Sequence, residues 1–201
     1  MGKSKTFTEL HVLNLGAGVQ STALFLLARN GELPFRFDVA IFGDTKRERK
    51  ATYRHLNWMC GLGDPAILIR SAGDLGLDLL GKSGKKRFAS IPAFTGTSMR
   101  DGGVVRRQCS REYKSDVVEQ TIRREVLKLK LRQRIPKGVI LHRYFGITKD
   151  EAARSLSIKA RLEQSGYGHF VPHFPFIEMG WTRFDCDRYI ESRQLHGLSA
   201  S

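Results

Sequence analysis

The stretch Leu10 to Ala28, LHVLNLGAGVQSTALFLLA, constrains this chain more than any other. An apolar run ending at Leu15 enters a glycine-rich turn, Gly16-Ala17-Gly18-Val19-Gln20-Ser21-Thr22. An apolar segment with Ala23, Leu24, Leu27 and Ala28 on one helical face follows at once. Strand, tight turn and helix in that order aim backbone N–H groups and a helix N-terminus at an anion. Gly16 and Gly18 let the main chain approach a phosphate closely, and Ser21 and Thr22 supply hydroxyls that cap the helix or bind the same phosphate. The dinucleotide fingerprint G-x-G-x-x-G fails at Ser21, and the turn lacks the lysine of a Walker A loop. A plain strand-to-helix turn with a serine cap is the alternative.

The pattern repeats downstream. Phe37 to Phe42 reads as a second buried strand ending in Gly43-Asp44-Thr45. An acid at that turn either meets the sugar or base of a nucleotide on an open parallel sheet or caps the next helix. Lys50 to Leu62 has helical spacing, with Trp58 and Cys60 read as packing residues, and Ala66 to Arg70 is a third strand. Strand and helix alternating in this way predict an α/β fold, a doubly wound parallel sheet. From 71 to 107 glycines and basic residues break any regular element, which predicts a mobile substrate loop with a short helix at Asp74 to Leu80. A solvated linker is the other reading of that region.

Cys109 to Arg134 is the longest helical candidate, with Val117, Val118, Ile122, Val126, Leu129 and Ile135 mainly on one face. Arg106, Arg107, Arg111 and Lys114 flank its one thiol in sequence, and such cations lower a thiol pKa when close in space, while a lone structural cysteine is the commoner outcome. A fourth strand runs from Gly138 to Gly146, after which Thr148 caps a helix with Glu151 at the capping-box spacing. Phe170 to Ile177 holds two prolines and reads as an edge strand or extended segment. A last amphipathic helix opens at Trp181-Thr182-Arg183, making the part of the chain from about 178 helical.

A chain of 201 residues fits one such domain over 1–201. No run of 18 apolar residues occurs, so no membrane association is expected. Met1-Gly2 with Thr6 matches a myristoylation pattern in form, but the first strand follows too soon for that reading. Three well-separated cysteines, Cys60, Cys109 and Cys186, with no C-x-x-C pair, predict a reducing cytoplasm and no zinc or iron–sulfur site built by this chain alone. Thirty-four basic against 20 acidic residues give a net charge of +14, which favours a polyanionic partner such as DNA, RNA or a phosphate-rich small molecule.

Together the motifs resemble those of the PP-loop ATPases and the phosphoadenosine-phosphosulfate (PAPS) reductase-like proteins of the adenine nucleotide α-hydrolase-like superfamily. Gly16-Ala17-Gly18-Val19-Gln20-Ser21 is similar to a degenerate Ser-Gly-Gly-x-Asp/Gln-Ser loop. Phe42-Gly43-Asp44-Thr45 with Glu48 resembles the second-strand signature, and Arg107-Gln108-Cys109-Ser110 with Tyr113-Lys114 resembles the Arg-x-Cys-Thr-x-x-Tyr-Lys segment. Gly146-Ile147 with Asp150-Glu151, then Pro175 to Cys186, continue the likeness in the same order.

The resemblance implies a parallel five-stranded sheet with helices on both faces, binding ATP or a PAPS-like nucleotide at the strand ends, with magnesium escorting the phosphates. It implies phosphate contacts from Gly16, Ala17, Gly18, Gln20, Ser21 and Thr22, and nucleotide contacts near Asp44, Thr45, Glu48 and Gly146. It further implies that Arg107, Arg111 and Lys114 neutralise phosphate or sulfate, with Cys109 beside the reacting centre. Gly16, Ala17 and Gln20 depart from the usual loop, Gln20 by replacing a carboxylate, and no cysteine follows Cys186. The leading expectation is an AMP-forming ATP pyrophosphatase that activates a substrate for sulfur or nitrogen transfer. Sulfonucleotide reduction and non-catalytic nucleotide or nucleic-acid binding are the alternatives, and oligomeric state is left open, a homodimer included.

Overall fold

A computed structural model describes residues 8–80, 111–164 and 169–198. Five strands form one all-parallel sheet: β1 (Thr8–Leu15), β2 (Val39–Gly43), β3 (Ile67–Arg70), β4 (Val139–Phe145) and β5 (Phe170–His173), in the spatial order β3-β2-β1-β4-β5. Helices α1 (Val19–Arg29), α2 (Lys50–Gly61) and the short α3 (Leu75–Leu79) accompany the first three strands. A continuous helical stretch, α4, runs through Arg111–Ser115, Asp116–Thr121 and Ile122–Val126, its two ends wound in the wider π form. Lys149–Glu151 forms a 3₁₀ turn leading into α5 (Ala152–Gln164), and α6 (Pro175–Glu178) and α7 (Arg183–Leu198) follow β5.

The parallel register sorts side chains cleanly, since successive residues face opposite sides. Leu13, Leu15, Ala40, Phe42 and Tyr144 pack under α1, with Leu56 and Met59 of α2 and Cys186 of α7. Val12, Val39, Ile41, Leu141 and Phe170 pack on the other side with Val118 and Ile122 of α4. Helices therefore cover both faces, and the doubly wound α/β expectation holds. Helix α1 is buried along Ser21 to Ala28, which is why its sequence is apolar nearly all round. It stops at Asn30-Gly31 as read, with the Glu32 N–H reaching back to the Leu27 carbonyl at 2.9 Å. Among the described residues no helix is long and apolar enough to cross a membrane.

Four local readings need correction. The long helix ends at Val126 rather than Arg134. Arg124 donates to the Leu129 carbonyl at 2.8 Å and Arg123 to the Gln133 carbonyl at 2.6 Å, so side chains hold the departing strand of backbone where helix bonds would have been. Lys128 and Arg132 take left-handed φ values of 54° and 63°, and Leu129 and Ile135 still reach the core from this irregular segment. Trp58 and Cys60 are not core residues: Trp58 is 41% exposed and Cys60 lies on the outer side of α2, which buries Leu56 and Met59. Thr148 begins the 3₁₀ turn without a side-chain cap: its hydroxyl is engaged by Asp150 and Gln20, and the Glu151 carboxylate is turned to Gln20 and Arg154. The segment after Phe170 is an edge strand only to His173, and Pro175 then opens a helical turn where its missing N–H costs nothing.

The short helix expected at 74–80 is present as Leu75–Leu79, capped by Asp74, which accepts from the Gly76 and Leu77 N–H groups at 2.8 and 3.1 Å. The rest of the expected basic loop, 81–107, lies outside the described residues, as do Arg107 and Cys109.

Candidate functional site

β2 and β3 are laid down on one side of β1, and the chain then crosses to place β4 and β5 on the other. Where strand order reverses in an open parallel sheet, the loops leaving the two central strands diverge and open a crevice at their C-terminal ends. Here those loops begin at Gly16 and Gly146, side by side because Asn14 pairs with Phe145.

The Gly16-Ala17-Gly18 turn folds around one side chain. Ser21 Oγ accepts from the Gly16 N–H at 3.3 Å and the Gly18 N–H at 3.2 Å, and donates to the Gly18 carbonyl at 3.1 Å. Ser21 thus stands in the third position of α1 and closes the loop onto the helix, the reciprocal half of a capping box. The first-turn N–H groups of α1 have no acceptor within the helix and face the crevice with the positive end of the helix dipole. A Cβ built on Gly18 meets nothing within 4 Å, so the loop has open space on its outer side.

Ala17 sits at φ 52°, in the left-handed region where a Cβ costs roughly 1–2 kcal/mol. Ala17→Gly removes that strain and loses part of the gain to chain entropy. The expected result is a melting temperature unchanged or raised by up to about 4 °C. A clear fall in thermal denaturation would contradict it.

Gly146 lies against the start of α1. A Cβ there would come within 2.7 Å of the Ser21 nitrogen and 2.8 Å of the Gln20 carbonyl carbon, both backbone atoms. Gln20 extends across this contact, donating from Nε2 to Glu151 Oε2 at 3.3 Å and to Thr148 Oγ1 at 3.5 Å. Glu151 also accepts from Arg154 at 2.7 Å. So the Gln20 amide brings a carboxylate from the β4 side to the glycine loop. Thr22 does not join this group. Its side chain is fully buried, bonded to His55 Nε2 at 2.8 Å and turned to the Met59 sulfur.

A second cluster stands at the end of β2, the neighbour of β1. Asp44 is 3% exposed; its carboxylate accepts from the Lys46 N–H at 2.7 Å and the Tyr53 hydroxyl at 2.8 Å, and pairs with the Lys46 ammonium at 3.1 Å. Burial alone would raise its pKa, but these hydrogen bonds and the ammonium outweigh burial and hold it below the usual range. Thr45 donates to Glu48 at 3.1 Å, and Lys114 pairs with Glu48 at 2.9 Å. Lys114 arrives there because α4 packs onto Gly43, where a Cβ would come within 2.9 Å of the Lys114 Cα. Arg111 points away, its guanidinium mostly exposed and 3.8 Å from Asp116.

β4 also carries a buried cation, on the face it shares with α4. Arg143 is 5% exposed, lies across the Phe145 and Phe170 rings and donates to Asn14 Oδ1 at 2.6 Å. Burial pulls its pKa down to about 10, against the opposing field of Glu119, so it stays cationic at neutral pH. Its only trace in the sequence is one arginine in an otherwise inward-facing position of VILHRYF.

Glu151 and Thr148 Oγ1 bring oxygens beside the loop, the donor type that magnesium takes. The fold and this crevice define the class as a Rossmann-like α/β protein with a glycine loop and helix N-terminus at the switch point. The chain matches no family model, no curated protein and no solved structure to a significant degree.

Proposed function

We propose that the chain binds an adenine nucleotide across the ends of β1, β2 and β4 and acts as an AMP-forming ATP pyrophosphatase of the PP-loop type. The observation that supports it is the Ser21-closed glycine loop leading into the N-terminus of α1, open on its outer side at Gly18. The Gly16 and Gly18 N–H groups are held by Ser21, so the first-turn N–H groups of α1 bind the phosphate oxygens, and the open space beside Gly18 leaves room for them. Lys114 adds positive charge from the β2 side once Glu48 shares it with the ligand. Asp44 shapes the turn under the nucleoside through the Lys46 N–H and the Tyr53 hydroxyl. Glu151 and Thr148 would hold the magnesium ion, which when bound neutralises charge on the departing pyrophosphate.

In the reaction an acceptor oxygen attacks the α-phosphorus, the α–β bridge bond breaks, and pyrophosphate leaves with its electron pair. A sulfur or nitrogen nucleophile then displaces AMP from the activated acceptor. The +14 charge favours a DNA or RNA acceptor, whose affinity should fall steeply with salt. Incubation with ATP, magnesium and candidate acceptors should yield AMP and pyrophosphate. Formation of ADP and phosphate would refute the reaction, and nucleotide binding without turnover would leave a binding protein.

Lys114 at the strand ends also supports a second reading, sulfonucleotide reduction, because the same segment carries Cys109. That reading requires thioredoxin-dependent sulfite release from PAPS that disappears in Cys109→Ser.

A further inference from the structure

Partway down β1 and β4, on the face they share with α1, three histidines and a carboxylate gather around one point. His11 and His142 are register partners on neighbouring strands, and their rings stack with centroids 4.7 Å apart and planes 12° from parallel. Glu9 stands two residues before His11, on the same face by strand alternation. One ligand atom from each of Glu9, His11 and His142 can be chosen so that all lie within 4.8 Å of one another.

The ring nitrogens are divided between two directions. His11 Nδ1 is 2.8 Å from the Tyr144 hydroxyl, and His142 Nδ1 is 2.8 Å from His173 Nε2. His142 Nε2 is buried without a hydrogen-bond partner and lies 3.6 Å from Glu9 Oε2. With Nδ1 engaged, Nε2 is the nitrogen that His11 has left. Buried ring nitrogens are ordinarily satisfied, so one left over and facing a carboxylate asks for a ligand.

We infer that Glu9, His11 and His142 form a site for a divalent transition cation of the zinc class. Two imidazoles and a carboxylate are a nitrogen–oxygen donor set suited to zinc and its neighbours, whereas magnesium and calcium prefer oxygen alone. Tyr144 and His173 supply the outer shell: each accepts the Nδ1–H of a ligating ring and so fixes the tautomer that presents Nε2 to the metal. Phe35 and Phe37 wall one side, stacked on or edging against Tyr144. Ligand bonds of about 2.0–2.2 Å need the three donors to draw together by roughly 1 Å. Glu9, 55% exposed, has the freedom to do so. Its exposure also leaves the remaining coordination positions open to water or a small anion. The site lies five residues before Gly16, roughly 16 Å along the strand, and does not rest on the nucleotide reading.

The test is titration of tag-free, chelator-treated full-length protein with Zn²⁺ by calorimetry and with Co²⁺ by absorption. One equivalent should bind, with a Co²⁺ spectrum of nitrogen and oxygen ligation and no thiolate charge-transfer band. His142→Gln and Glu9→Gln should each raise the dissociation constant tenfold or more, while His169→Gln should leave it unchanged. Glu9→Gln is exposed and conservative, so it reports on the site even where His142→Gln folds poorly. No stoichiometric binding, a thiolate band, or equal affinity in Glu9→Gln would overturn the assignment.

Discussion

Gly146→Ala is expected to lower the melting temperature by about 3–10 °C and, under the proposed function, to weaken nucleotide binding at least tenfold, whereas Gly18→Ala should leave stability within about 1 kcal/mol and, under the same proposal, affect binding alone. The asymmetry follows from what each new methyl meets. At Gly146 it collides with the backbone of Gln20 and Ser21, at 2.7–2.9 Å, and backbone at the start of a buried helix cannot rotate aside. Either β4 or α1 must shift, and both carry core residues. At Gly18 the methyl enters open space at an ordinary negative φ of −99°, so folding is indifferent to it. That space is where a phosphate would stand. Thermal denaturation and nucleotide calorimetry on the two variants separate the roles, and equal loss of stability in both would show that the loop is only a structural turn.

Phe176→Ala is expected to cost about 3–5 kcal/mol, while Phe176→Leu costs a fraction of that. Phe176 is fully buried in α6, its ring stacked on Trp181 with centroids 5.4 Å apart. The Trp181 N–H donates to the Phe176 carbonyl at 2.8 Å, and the Trp181 carbonyl accepts from Lys149 at 2.9 Å. Lys149 opens the 3₁₀ turn that carries Glu151 to Gln20. Loss of the ring therefore loosens a relay from the core to the crevice. Chemical denaturation measures the first effect. Amide exchange at Lys149 and Glu151, faster in the alanine variant under native conditions, measures the second. Unchanged exchange there would show that the turn is held independently.

What could be read from the chain was local. Leu10 to Ala28 announced strand, turn and helix because apolar spacing and two glycines lie within one short window. The α2 and α7 helices were visible for the same reason. What escaped depends on partners far along the chain. Thr22 looked like a phosphate ligand until His55, from the next helix, took its hydroxyl. Gln20 looked like a lost carboxylate, and only β4 lying beside β1 shows Glu151 delivered to it. Trp58 and Cys60 were placed inside because apolar periodicity does not say which stripe of a thin helix faces the sheet. The three histidines are spread from residue 11 to residue 173, and nothing but the sheet register brings them together.

The strand order has a consequence for how the chain is made. β1 has β2 on one flank and β4 on the other, yet β4 begins at residue 139, about 100 residues after β2 begins at residue 39. At synthesis rates of about 5–20 residues per second, β1 shows one open row of N–H and C=O groups for about 5–20 seconds. The strand that ends up most enclosed is thus, for that interval, an unpaired border. Its closure depends on a contact between distant parts of the chain, the slow kind to form. A ribosome still making residues 44–138 holds half a sheet whose future centre is its exposed edge.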